Sequence, residues 1–187
     1  MENMLEIKPK VDFDTSLPYN NSSVREQSHL DLVLEAFVVS ASSINGYPMF
    51  KDLPAAVLEK IAAISEELDY KEGQTIFREG EKADKVDFLI KGSIALRVTI
   101  MSKPDSLTVS FVTKSNECFG WSGLVSPHYY TATAHCEEDC RVMTLPGDKL
   151  LQILSDNSDS GFKVMHRIAN LVSERLRNSR QALIKTL

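Results

Sequence analysis

The sequence predicts an α+β fold in which a closed or double-layered antiparallel sheet is framed by helices. Three observations carry this. Residues 74–145 divide into short apolar, β-branched runs: TIF, VDFLI, SIALRVTI, SLTVSFV, TATAHC and RVMTL. Turn signals separate the runs: Lys71-Glu72-Gly73, Glu79-Gly80-Glu81, Lys91-Gly92, Lys103-Pro104-Asp105, Ser115-Asn116 and the acidic Glu137–Asp139. On either side the apolar period changes from that of a strand to that of a helix. Short strands at regular spacing read as an antiparallel sandwich or barrel, and the glycines fall where turns need a positive φ.

Taken in order, residues 1–28 are polar and without periodicity, and read as a flexible arm. Residues 29–47 hold a first helix and its connection. Leu30, Val33, Leu34, Phe37 and Val38 make one helical face over 29–43, which Asn45-Gly46 and then Pro48 end. The β region with its leading helix spans 48–147. In that helix, expected over 54–66, Asp52 is a candidate N-cap, Pro54 sits in the first turn, and Val57, Leu58, Ile61 and Ile64 share a face. Residues 148–187 return to helix: a short one with Asp148 as candidate cap, then a long one after Ser158-Asp159-Ser160. The long helix carries an apolar stripe through Val164, Met165, Ile168, Leu171, Val172, Leu176 and Leu183, interrupted by Arg175 and Ser179. About 25 residues at 1.5 Å each give roughly 38 Å, more than a small domain covers. Pairing with the same helix of a second copy is therefore expected, with Met165, Ile168, Val172, Leu176 and Leu183 at the interface.

Charge and composition exclude several classes. With 187 residues, 43% hydrophobic and 25% charged, the chain has the balance of a globular protein. Its apolar runs fall short of the roughly 18–20 residues of a membrane helix. MENMLEIKPK lacks the layout of a signal peptide, and three cysteines, Cys118, Cys136 and Cys140, are an odd number. Both point to a reducing cytoplasm and free thiols, although Cys136 and Cys140 flank a turn that would set them opposite each other. The net charge of −5 argues against nucleic acid. The long helix differs: from Gly161 onward six cations (Lys163, Arg167, Arg175, Arg177, Arg180, Lys185) face Glu174 alone. That is a solvated face or a docking face for an acidic protein partner.

Catalytic constellations are missing. His128 and His135 lie in the β region near Cys136 and Glu117, but a His-x-His pair with a Glu on one strand, as metal-dependent jelly-roll enzymes use, is not there. His135 and Cys136 are adjacent in a strand and point to opposite faces, so one ion does not reach both. No P-loop, dinucleotide turn or zinc-helix motif occurs. The sequence implies neither an enzyme nor a metal.

The order of motifs is informative: a helix, then G-x-x-I-F-x-x-G-E, the strand VDFLIKGSIAL, Phe-Gly in a loop, an Ala-Thr strand and two helices. On Gly73, Phe77, Gly80, Glu81, Phe88, Ile90, Gly92, Phe119, Gly120, Ala132 and Thr133, residues 48–187 resemble the cyclic-nucleotide-binding domain family of the bacterial catabolite activator. The resemblance implies a jelly roll of about eight antiparallel strands with a long dimerising helix behind it. In the activators a helix-turn-helix follows that helix. Here the chain stops at Leu187, so an effector domain without direct DNA binding is expected.

The family's ligand cassette reads approximately F-G-E-x-A/S-L-L, then P-R-A-A-T/S-V. Its Arg and the backbone N–H groups after F-G hold the cyclic phosphate, and its Glu holds the ribose. Carried over, Phe119-Gly120 keep the turn, Ser122 and Gly123 keep the backbone donors, Trp121 stands at the Glu position, Tyr130 at the Arg position, and Thr131 follows. Each buried charge-assisted hydrogen bond contributes roughly 1.5–3 kcal/mol, so losing both costs about 3–6 kcal/mol, a hundredfold to tens of thousandfold in affinity. Cyclic AMP and cyclic GMP are therefore not expected as ligands, and no cofactor is implied. A regulatory module with a filled or altered cassette, acting through a non-standard effector or a protein partner, is the reading. The alternative is a genuine cyclic-nucleotide regulator or a transcription-factor effector domain.

Overall fold

The computed structural model describes residues 39–100 and 106–186, without the side chains of residues 182, 183, 185 and 186. The expected arm over 1–28, most of the helix expected over 29–43, the Lys103-Pro104-Asp105 turn and the Leu183 side chain lie outside this description.

Among the described residues two short helices come first, α1 (Ala41–Asn45) and α2 (Ala55–Ala63). The helix expected over 29–43 is not continuous: Ser40 is extended (φ −89°, ψ 155°) and its hydroxyl accepts from the Ser43 N–H, which caps a new helix. Asp52 does not cap α2 either. It sits at φ +59° and its N–H donates to Asn45 Oδ1 at 3.0 Å, while Pro54 takes the cap position. Pro54 also supplies the carbonyl that opens the helical ladder, accepting from Val57 at 2.9 Å.

Eight strands follow: β1 (Glu66–Tyr70), β2 (Thr75–Phe77), β3 (Lys85–Lys91), β4 (Ile94–Thr99), β5 (Ser106–Val112), β6 (Cys118–Phe119), β7 (Thr133–Cys136) and β8 (Cys140–Pro146). They form two four-stranded antiparallel sheets in the orders β1-β8-β3-β6 and β2-β7-β4-β5. The six runs read from the sequence are all strands; β1 and β6 are additional. β1 is EELDY, an acidic edge strand without β-branched residues, and β6 has only two residues. Charge on an edge discourages pairing with other chains and also hides the strand from a pattern search. Gly73, Gly80 and Gly92 take φ of +81°, +81° and +108°, as turns of this hand require.

Alternation along β3 creates two cores. Val86 and Phe88 face the helices; Leu89, and Asp87 beside it, face the opposite sheet. In the helical core Phe88 meets Tyr47 edge-on at 5.4 Å and Phe50 at 5.2 Å, among Val57, Ile61, Met143 and Leu145. The inter-sheet core holds Phe77, Ile94, Val112, Phe119, Tyr130 and Val142.

Behind the sheets lie α3 (Gly147–Asp156) and α4 (Ser158–Thr186). Pro146, not Asp148, occupies the cap of α3; Asp148 sits in the first turn, where its charge suits the helix dipole. At 29 residues α4 is about 44 Å long. Its first half is anchored by Val164 and Ile168, both in the helical core. Ile168 is therefore not free for a second copy, as the sequence suggested: its phase turns it onto its own domain. Met165, Val172 and Leu176 are exposed, and Phe162 joins them at 74% exposure.

Candidate functional site

The cassette begins at the end of β6. Gly120 has φ +69°, and a Cβ there would lie 2.9 Å from Asp87 Oδ2 and 3.1 Å from the Phe77 ring. Conformation and space both demand glycine. The chain then makes one 3-10 turn, Trp121–Leu124, whose Gly123 is pressed onto β3: a Cβ at Gly123 would meet the Lys85 carbonyl at 2.3 Å. The Gly123 N–H is already spent on the Gly120 carbonyl at 3.2 Å.

Tyr130 fills the place the sequence assigns to the phosphate-binding Arg. It is 7% exposed and lies flat on Phe77, ring centres 3.8 Å apart and planes 6° from parallel. Phe77 is in turn stacked on Phe119 at 6.0 Å. Backbone bonds hold Tyr130 to the Gly80-Glu81 turn, donating to the Glu81 carbonyl at 2.9 Å and accepting from the Gly80 N–H at 2.8 Å. Its hydroxyl donates to the Lys85 carbonyl at 3.5 Å, and burial pushes its pKa well above the usual phenol range. Trp121 is half-buried and packs against the helical core, Ser122 is half-buried, and Thr131 is exposed. The space these residues leave, bordered also by Leu96 and Ala132, is about 30 Å³. That is room for a single water, against roughly 300 Å³ or more for a small-molecule site.

Asp87 lies directly behind Gly120. It is 3% exposed, and burial pushes its carboxyl up to about 6. Its cross-strand neighbour Thr144 is equally buried. The cysteines are free and buried. Burial drives the Cys118 and Cys136 thiols up, so neither is a thiolate near neutrality. Cys136 and Cys140 end β7 and open β8, which belong to different sheets, so the turn between them is a crossing and not a paired hairpin. Among the described residues no cluster of His, Cys, Asp or Glu is arranged to hold a metal ion, and no helix is long and apolar enough to cross a membrane.

A link that the sequence did not expose ties the cassette to α4. Arg175, which reads as an interruption of the apolar stripe, is only 8% exposed. It continues the phase of Val164, Ile168 and Leu171 and points into the domain. Its Nη2 donates to Glu117 Oε1 at 2.7 Å, and its Nη1 to the Ser110 hydroxyl and to the Phe111 carbonyl at 3.4 Å; Nε has no partner. Glu117 is two residues before Phe119. The signal for this link was an arginine in a buried helical phase, but its partner is 58 residues away. The basic helix is less free than its composition implies: Arg167 donates to the Met49 carbonyl at 3.1 Å and Lys163 to that of Asp52 at 3.5 Å.

Residues 67–157 match the model of the cyclic nucleotide-binding domain. The chain is similar to a solved structure from Geobacter metallireducens assigned as a cyclic nucleotide-binding protein, with 30% identity and a TM-score of 0.64 over 74% of this chain and 98% of that one. A cyclic nucleotide-binding domain from Methylobacillus flagellatus is 17% identical with a TM-score of 0.65, over 84% of this chain and 85% of that one. The catabolite activator protein of Thermus thermophilus is 22% identical with a TM-score of 0.59, over 74% of this chain and 62% of that one. The latter two speak for the fold alone. Among curated proteins none matches the sequence.

Proposed function

This chain belongs to the cyclic nucleotide-binding domain family, and from that premise we propose that it is a non-enzymatic regulatory module whose cassette is closed to cyclic AMP and cyclic GMP. The observation that carries the reading is the flat stack of Tyr130 on Phe77, which leaves about 30 Å³ where a nucleotide would lie. Closing the site with aromatics replaces the binding energy of the missing anchors with packing energy. Signalling then runs through a different effector or a protein partner, in the cytoplasm. A second copy is the nearest partner, and an acidic protein would meet the charges left free on α4.

The exposed side of α4 supports pairing. Phe162, Met165, Ala169, Val172 and Leu176 recur at alternating steps of three and four, the seam of a two-stranded coiled coil. Leu176, 62% exposed, directly follows the buried Arg175. Titration calorimetry with cyclic AMP and cyclic GMP tests the first half of the proposal: no saturable heat is expected, and micromolar binding of either would overturn it. Light scattering tests the second: a wild-type dimer is expected, and Leu176→Glu shifts it to monomer. A monomeric wild type removes the pairing.

A further inference from the structure

A second cavity has walls of another kind. It measures about 320 Å³ and opens between α4, the loop before β6 and the connection from α1 to α2. The floor is apolar, formed by buried Met49 and Cys118 and half-buried Leu171. The rim carries Lys114, Arg167 and Glu174. Glu117 also borders the space, but its carboxylate is neutralised by Arg175 at 2.7 Å.

The rim groups are poised unequally. Arg167 spends Nη1 on the Met49 carbonyl at 3.1 Å, which holds its guanidinium at the mouth; among the described residues its other nitrogens have no partner. Lys114 is exposed and, among the described residues, has no ion pair. Two cations therefore stand against one uncommitted carboxylate, Glu174, and an anion is the favoured guest. The apolar floor calls for hydrocarbon next to that charge. The volume lies at the lower end for small-molecule sites. Arg167, Leu171 and Glu174 lie on the side of α4 turned away from the Phe162–Leu176 seam, so a guest here does not compete with pairing.

We propose that this groove binds a small amphipathic carboxylate, its tail over Met49, Cys118 and Leu171 and its carboxylate between Arg167 and Lys114. As the effector site of the module it rests on the regulatory reading above; the binding itself does not. Occupancy would act on Glu117 and Arg175, which join the cassette loop to α4.

The test is titration of the full chain with decanoate below its micelle concentration, against decanol and decylamine. Calorimetry and the emission of Trp121, the single tryptophan, give the readouts. Saturable decanoate binding is expected, with decanol and decylamine weaker by about tenfold or more, the size of one charge-assisted hydrogen bond. Lys114→Gln and Arg167→Gln should each weaken decanoate by about three- to tenfold; Tyr130→Phe should leave it unchanged. No saturable binding overturns the site, as does equal binding of the three compounds or indifference to the Lys114→Gln/Arg167→Gln double variant. Since exposed Lys114 can be changed without disturbing the core, misfolding of Arg167→Gln does not rescue the idea. Micromolar cyclic AMP binding would sink the closed-cassette half of the reading above and leave this site standing.

Discussion

The cassette and the groove beside α4 meet at adjacent residues, Phe119 and Cys118, yet they are built of opposite materials. The cassette is occupied by its own side chains: Phe119, Phe77 and Tyr130 stack in series and leave about 30 Å³. The groove leaves about 320 Å³ and is rimmed by the charges of Lys114, Arg167 and Glu174. One region is filled by core side chains, while the other holds polar groups outside the core. A residue that holds the fold together should be costly to remove, and a residue kept for a guest should be cheap. Stability measurements can therefore separate the two regions before any ligand is known.

The largest effect is expected at Tyr130. Tyr130→Ala removes a buried ring from the stack and should cost about 3–5 kcal/mol, the range for large aromatic-to-alanine changes in a core. Urea denaturation measures it, and a loss under about 1 kcal/mol would mean that the cassette is loosely filled and open to ligand. Close behind is Glu117→Ala, which strands the Arg175 guanidinium in a buried place; breaking a buried pair costs about 3–5 kcal/mol. Replacing both partners with Glu117→Gln/Arg175→Met should recover much of that loss.

Asp87 sharpens the contrast in the other direction, because burial favours its uncharged form. Tyr70 and Tyr130 face it, and Lys85 and Asp84 are its charged neighbours. Its pKa is raised from 3.8 to about 6, so the folded state favours the neutral acid. Stability is then full below the unfolded pKa and declines as pH rises through about 6, by about 3 kcal/mol in all. Asp87→Asn should raise the urea midpoint at pH 7.5, leave it nearly unchanged below about pH 4, and remove this slope between. An unchanged pH profile would place the titration elsewhere. The smallest effect belongs to the groove: Lys114→Gln should alter stability by less than about 0.5 kcal/mol. A larger loss would make the groove another part of the core and erase the comparison.

The elements differ in how much local sequence marks them. Six strands declared themselves by β-branched runs and glycine turns, which are local features. β1 did not, because its acidic residues suit an exposed edge and resemble a loop. Asp52 and Asp148 looked like caps by residue type. Their positions went instead to Pro54 and Pro146, whose fixed φ suits a helix entrance equally well. Ile168 and Leu176 belong to the same stripe, yet only tertiary packing divides that stripe into a side facing the domain and a side facing outward.

Neighbouring residues along the chain carry the sheet-and-helix order and the glycine turns. These depend on period, φ and residue type. Tertiary structure alone decided that Tyr130 fills its pocket, since the ring it covers belongs to Phe77, 53 positions earlier. It alone turned Arg175 from a break in an apolar stripe into the link between helix and cassette. A buried guanidinium is tolerable only where a carboxylate meets it, and Glu117 reaches it through the fold.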